Sequence, residues 1–149
     1  MDEPLLKTSN LAIAESLHRL LGAYPESARK IRLVSKEIGG LAQVFVDVFN
    51  DDSSSQWLAV PAGLDTHLIN WRTSCYSTGR GSWFSASLTV HRDGSFETDF
   101  DYDSDPRLSD PALTFVIIRE DIARELEMFP RHEPLWPAWF TSLRREFKL

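Results

Sequence analysis

Carboxylates at alternate positions are the strongest chemical signal in this chain. Glu97, Asp99, Asp101, Asp103 and Asp105 recur at every second residue. Such a row can hold a divalent cation, meet a cationic surface or face water. Asp101-x-Asp103-x-Asp105 matches the opening of a calcium loop, but the loop's sixth position is Pro106 instead of Gly and its twelfth is Ala112 instead of Glu. A metal-dependent hydrolase using Asp99, Asp101, Asp103 and Asp105, with His91 nearby, stays open as an alternative. No further nucleophile or general base is positioned for it.

The other reactive side chains form no motif. His18, His67, His91 and His132 make no HxH, HxxxH or HExxH pair. Ser82 and Ser85 precede His91, but no GxSxG elbow surrounds them. Gly79-x-Gly81 is too short for a phosphate loop and follows a helical pattern, the wrong order for a dinucleotide site. Cys75 is the single cysteine, so no internal disulfide or multi-cysteine zinc site is expected. It lies on an apolar stripe and is read as a buried thiol. The sequence thus points to no catalytic residue, no cofactor and no metal site.

The elements that position the carboxylates come next. Gly79 to Asp105 reads as two strands joined at Arg92-Asp93-Gly94. A strand has a side-chain period of two, so Glu97, Asp99, Asp101 and Asp103 share one side, and Phe96, Thr98, Phe100 and Tyr102 the other. On the first of these strands, Phe84, Ala86, Leu88 and Val90 are expected inward. Upstream, Thr8, Ser9 and Asn10 offer caps for a helix running to about Leu21, with Leu11, Ala14, Leu17 and Leu21 on its apolar stripe. Ile31–Ile38 and Leu41–Phe49 form a hairpin turning at Gly39-Gly40, and Trp57–Val60 a short third strand. Leu64, Leu68, Trp71 and Cys75 stripe a helix over about Leu64–Tyr76. Leu113–Ile118 is a helix start or a short edge strand. Asp121–Met128 is helical, and Pro137 suits the first turn of a last helix. Trp57, Trp71 and Trp83 are assigned to the core or to covering the sheet. Trp136 and Trp139 either clamp the last helix or sit at an interface, where Trp is enriched. The expected architecture is α+β, one domain over 1–149, with an antiparallel sheet of four to five strands and N-terminal, middle and C-terminal helices packed on it.

Charge narrows the function classes. The chain has 149 residues and a net charge of −6. Residues 93–110 hold seven acidic residues and one base, Arg107, so this segment carries the whole of it. A patch of that sign repels nucleic acid and anionic lipid and attracts a basic partner. No segment resembles a secretion signal or a membrane span, so a cytoplasmic protein is expected.

Several motifs carry a resemblance. GRGSW at 79–83, Asp93-Gly94 and FETDFDYDSDP at 96–106 resemble the YezG-like immunity protein family. Actinobacterial-type members also end with a helix, FPR and a Pro-Trp segment, matched here by ARELEMFPR at 123–131 and WPAWF at 136–140. The likeness covers roughly residues 64–142. One departure is Leu113–Arg119, more apolar than the family's polar loop. The resemblance implies a non-enzymatic bacterial antitoxin of polymorphic toxin systems, which binds and neutralises a cognate toxin, often a nuclease. Glu97, Asp99, Asp101, Asp103, Asp105, Trp136 and Trp139 are the expected partner-binding residues. The expected partner is a protein toxin with a basic surface, without nucleic acid or membrane. A self-associating adaptor, using a sheet edge or the two tryptophans, is the remaining alternative.

Overall fold

Asp2 sets the start of the chain's first element. In the computed structural model, which describes residues 1–149, its carboxylate accepts the Leu5 N–H at 3.0 Å and caps helix α1 (Glu3–Leu21). Pro4 fits the first turn, where a backbone N–H has no helical partner. The expected start at Thr8–Asn10 is therefore corrected. Thr8 donates back to the Pro4 carbonyl at 3.0 Å inside the helix. The inward stripe is Ile13, Ala14, Leu17 and Leu21, while Leu11 is exposed.

Strands β1 (Ala28–Ile38) and β2 (Leu41–Asn50) turn at Gly39 and Gly40, whose φ of 58° and 83° match a type I′ turn. Strand β3 (Ser55–Leu58) follows, then helix α2 (Asp65–Ser74), then strands β4 (Ser85–His91) and β5 (Phe96–Asp101). The sheet order is β3-β2-β1-β4-β5 and every neighbour is antiparallel. The fold is α+β with five strands, as expected from the sequence.

Register decides which side chains share a face. Ile31 and Leu33 of β1 stand between Val48 and Val46 of β2 and Val90 and Leu88 of β4. All six are buried and join Leu17 and Leu21 of α1 in the main core. Trp71 of α2 enters the same core, its ring 5.4 Å from Trp83 and 5.7 Å from Phe100. Its indole N–H donates to Asn10 at 2.8 Å, fixing α2 against α1.

A second core closes one end of the sheet. Helices α3 (Arg119–Met128) and α4 (Ala138–Glu146) bring Ile122, Phe140 and Leu143 onto Ile38 and Phe84. Phe84 was expected beside Ala86, Leu88 and Val90 but belongs here. Asp101 stands opposite Ser85, yet its carbonyl accepts the Phe84 N–H at 2.9 Å, an irregularity that turns Phe84 out of the strand's alternation.

Leu113–Ile118 forms neither helix nor strand. Its bonds go to side chains instead: Thr114 N–H to Gln43 at 3.1 Å, and Ile118 N–H to the Asp121 carboxylate at 2.9 Å, which starts α3. Its apolar residues divide, Ile117 entering the second core while Val116 stays exposed. No helix is long and apolar enough to cross a membrane.

Candidate partner-binding face

The sheet face turned away from α1 is ordered in rows of charge. Register places Glu97, Asp99 and Asp101 of β5 opposite Thr89, Ser87 and Ser85 of β4. Those stand opposite Arg32, Val34 and Lys36 of β1. Asp47, Phe45 and Gln43 of β2 come next, and Trp57 of β3 beside Asp47. An acidic row, a hydroxyl row and a partly basic row therefore lie side by side, around a cleft of about 200 Å³.

The basic row is largely neutralised. Arg32 lies 3.7 Å from Asp47 and 5.2 Å from the centre of the Phe49 ring. Lys36 is fully buried, its ammonium donating to the carbonyls of Pro106 and Ser109 at 3.2 and 2.9 Å. Burial pushes the Lys36 pKa down, while Asp110, Asp101 and Asp105 oppose that shift. The sequence already carried this row in Lys30, Arg32 and Lys36 at even spacing on β1. The hairpin reading passed over it.

The expected contact residues do not stand alike. Glu97 and Asp99 are exposed on β5. Glu97 lies 3.5 Å from His91 Nε2, and its side chain is 72% exposed. Asp101 ends the strand instead. Its carboxylate accepts the N–H groups of Asp103 and Ser104 at 3.0 and 2.8 Å. Burial raises its pKa, but these hydrogen bonds and the Lys36 charge outweigh burial and hold it below the usual carboxylate range.

Asp103 lies beyond the strand, so the expected four-residue alternation stops one residue pair early. It is exposed, 4.0 Å from Arg80. Asp105 is buried and paired with Arg107, which donates Nε at 3.0 Å and Nη2 at 2.8 Å. Its carboxylate is not presented to a partner.

Trp136 and Trp139 are half-buried and fasten α4. Trp136 donates its indole N–H to the Arg131 carbonyl at 3.0 Å, and Trp139 to the Asp103 carbonyl at 2.8 Å. Trp139 also packs edge-on against Phe84 at 4.7 Å. Trp71 and Trp83 are buried in the core, and Trp57 lies over the sheet face. It is 60% exposed on the edge strand β3, its ring 5.3 Å from Phe45.

The GRGSW, FDYDSDP and FPR segments meet one another. Arg131 of the FPR segment donates to the carbonyl of Tyr102 at 2.8 Å and to that of Ser82 at 2.5 Å. A Cβ at Gly81 would lie 2.6 Å from Arg131 Nε, so glycine leaves room for that arginine. Tyr102 donates to the Cys75 carbonyl at 2.6 Å. These positions hold the fold, and of the acidic side chains between them Glu97, Asp99 and Asp103 are left exposed.

His18 lies 3.3 Å from the Arg92 carbonyl, and His91 beside Glu97. No group of three or more His, Cys, Asp or Glu side chains is arranged to hold a metal ion. Compared with models of known protein families and with curated protein sequences, the chain matches none.

Proposed function

We propose that this protein is a non-enzymatic immunity protein that binds and neutralises a toxin domain, of nuclease type, through the acidic face of β5. The observation that carries the reading is the placement of Glu97 and Asp99 on an exposed edge strand, within the segment that holds the whole net charge. Arg32 is paired with Asp47, and the buried Lys36 acts on Asp101 and Asp105, which leaves Glu97 and Asp99 without a strong cationic partner on this face.

Nuclease domains present basic grooves to phosphate. Strand carboxylates at alternate residues are about 7 Å apart and can form charge-assisted hydrogen bonds with such a groove. Clustered negative charge also speeds encounter, to on-rates of about 10⁸–10⁹ M⁻¹s⁻¹ at low salt. Fast capture suits a cell that makes its own lethal enzyme. Of the expected contacts, Glu97, Asp99 and Asp103 remain the accessible ones.

Affinity purification of the tagged full chain from its native cell tests the proposal. A larger protein with a toxin-like C-terminal domain is expected to co-elute. Co-expression of the chain is then expected to rescue growth from that domain, and Glu97→Lys with Asp99→Lys to lose the rescue. Recovery of no such protein, or rescue unaffected by both reversals, overturns it.

A further inference from the structure

Strand β5 is the last strand of the sheet, so one side of its backbone has no strand partner. The turn shows which residues present that side. His91 N–H donates to the Ser95 carbonyl at 2.8 Å, which makes these two a hydrogen-bonded pair of the ladder. Such pairs recur at every second residue of an antiparallel ladder. The register Thr89↔Glu97 and Ser87↔Asp99 continues the set. Glu97 and Asp99 therefore direct N–H and C=O toward β4, and Phe96, Thr98 and Phe100 direct theirs to the open edge.

The side chains flanking that edge differ between the two faces. Glu97 and Asp99 line the outer face. On the α1 side, Leu6 and Leu11 of α1 and Phe96 of β5, together with Glu3, Lys7 and Asn10, line a groove of about 350 Å³. A strand added at this edge would place its alternate side chains over that groove and its other side chains opposite the carboxylates.

We propose that β5 receives an extended segment of the partner as a sixth strand, with apolar residues toward the groove alternating with basic residues opposite Glu97 and Asp99. The proposal deepens the immunity reading and rests on it for the identity of the partner. Charge selects this occupant over a second copy of the chain. A self-paired β5 would set its carboxylates against their own copies on one face, and like charges directly opposite destabilise a strand pair.

The probe is a capped heptapeptide alternating lysine and valine, compared with one of the same composition sorted into a lysine block and a valine block. Titration of the full chain gives affinity, and amide hydrogen exchange reads each backbone N–H. Binding of the alternating peptide is expected to slow exchange at Phe96, Thr98 and Phe100 about tenfold or more, and the sorted peptide to leave it unchanged. Thr98→Pro removes an outward N–H that β4 does not use, at an edge position where proline is tolerated. It is expected to weaken binding about tenfold or more. If that variant fails to fold, Glu97→Lys with Asp99→Lys still decides, because it should turn preference toward an alternating glutamate and valine peptide. Equal affinity for both lysine peptides without slowed exchange would overturn strand addition.

The two proposals fail separately. A co-purified toxin that binds Thr98→Pro as tightly as the wild type removes strand addition and leaves the immunity reading standing. A positive peptide result with no toxin recovered supports strand addition and removes the immunity reading.

Discussion

Arg72 and Glu125 meet inside the fold as a bidentate pair, both guanidinium–carboxylate bonds measuring 2.7 Å, with each side chain 1% exposed. Arg72 also donates Nε to the Trp83 carbonyl at 2.7 Å and lies 3.1 Å from Glu37. Glu125 accepts the Gly39 N–H at 2.8 Å. One ion pair thus ties α2, α3, the β1–β2 turn and the approach to β4 together.

Removing one partner strands a buried charge. Glu125→Leu is expected to lower stability by about 3–5 kcal/mol in urea unfolding. Combining it with Arg72→Met should recover part of that loss, since the two charges go together and only Glu37, 3.1 Å from Arg72, is left without its partner. A double variant no more stable than the single one would show that the hydrogen bonds to Trp83 and Gly39 matter more than the pair.

Carboxylates of the acidic segment should divide by role. Glu97→Lys and Asp99→Lys are expected to change stability by less than about 0.5 kcal/mol, as exposed surface substitutions do. Asp101→Lys removes the turn acceptor for Asp103 and Ser104 and should cost about 1 kcal/mol. Thermal unfolding of the three variants checks this, and equal losses would contradict it.

Asp105 gives a pH dependence. Burial pushes its carboxyl up, but the hydrogen bonds from Arg107 and the Arg107 and Lys36 charges outweigh burial and hold it below 3.8. The folded state thus binds that proton less readily than the unfolded chain does. The stabilisation is fully present above the unfolded value and is lost as pH falls through the folded one. Asp105→Asn should cost about 1–3 kcal/mol at neutral pH. Urea unfolding over the acid range should show its difference from the wild type shrinking as pH drops. A constant difference would reject the assignment.

Gly39 and Gly63 test the backbone. Gly39 has φ 58°, and a Cβ there would overlap the Asp121 carbonyl, with Asp121 C 2.8 Å away. Gly63 has φ 85° with nothing within 4 Å. Gly63→Ala is expected to cost about 1–2 kcal/mol, the left-handed conformation alone. Gly39→Ala should cost clearly more, because α3 must also move. Similar unfolding midpoints for the two variants would refute the close approach.

What the sequence made legible follows from periodicity. Alternation along β4 and β5 placed Leu88, Val90, Glu97 and Asp99 correctly, because each strand buries one face and exposes the other. The Gly39-Gly40 turn was legible because only glycine accepts two successive positive φ values readily. Asp2 was missed as a cap because Thr8, Ser9 and Asn10 offer the same chemistry six residues later. Leu113–Ile118 misled because its apolar residues serve different surroundings. The end of β5 at Asp101, whose carboxylate caps the turn, and the pairing of Asp47 with Arg32 across strands are invisible to a pattern read along one strand. That is why the acidic row looked longer and more isolated than it is.

The division of labour along β5 has a further consequence. The residues that carry its charge are not the residues whose amides line the rim. Substitution at 97 or 99 alters the electrical address of the strand and leaves the rim's donors and acceptors in place. Under the proposed strand addition, strength of attachment and choice of target fall to different positions of one six-residue strand. Either can be retuned while the other is kept.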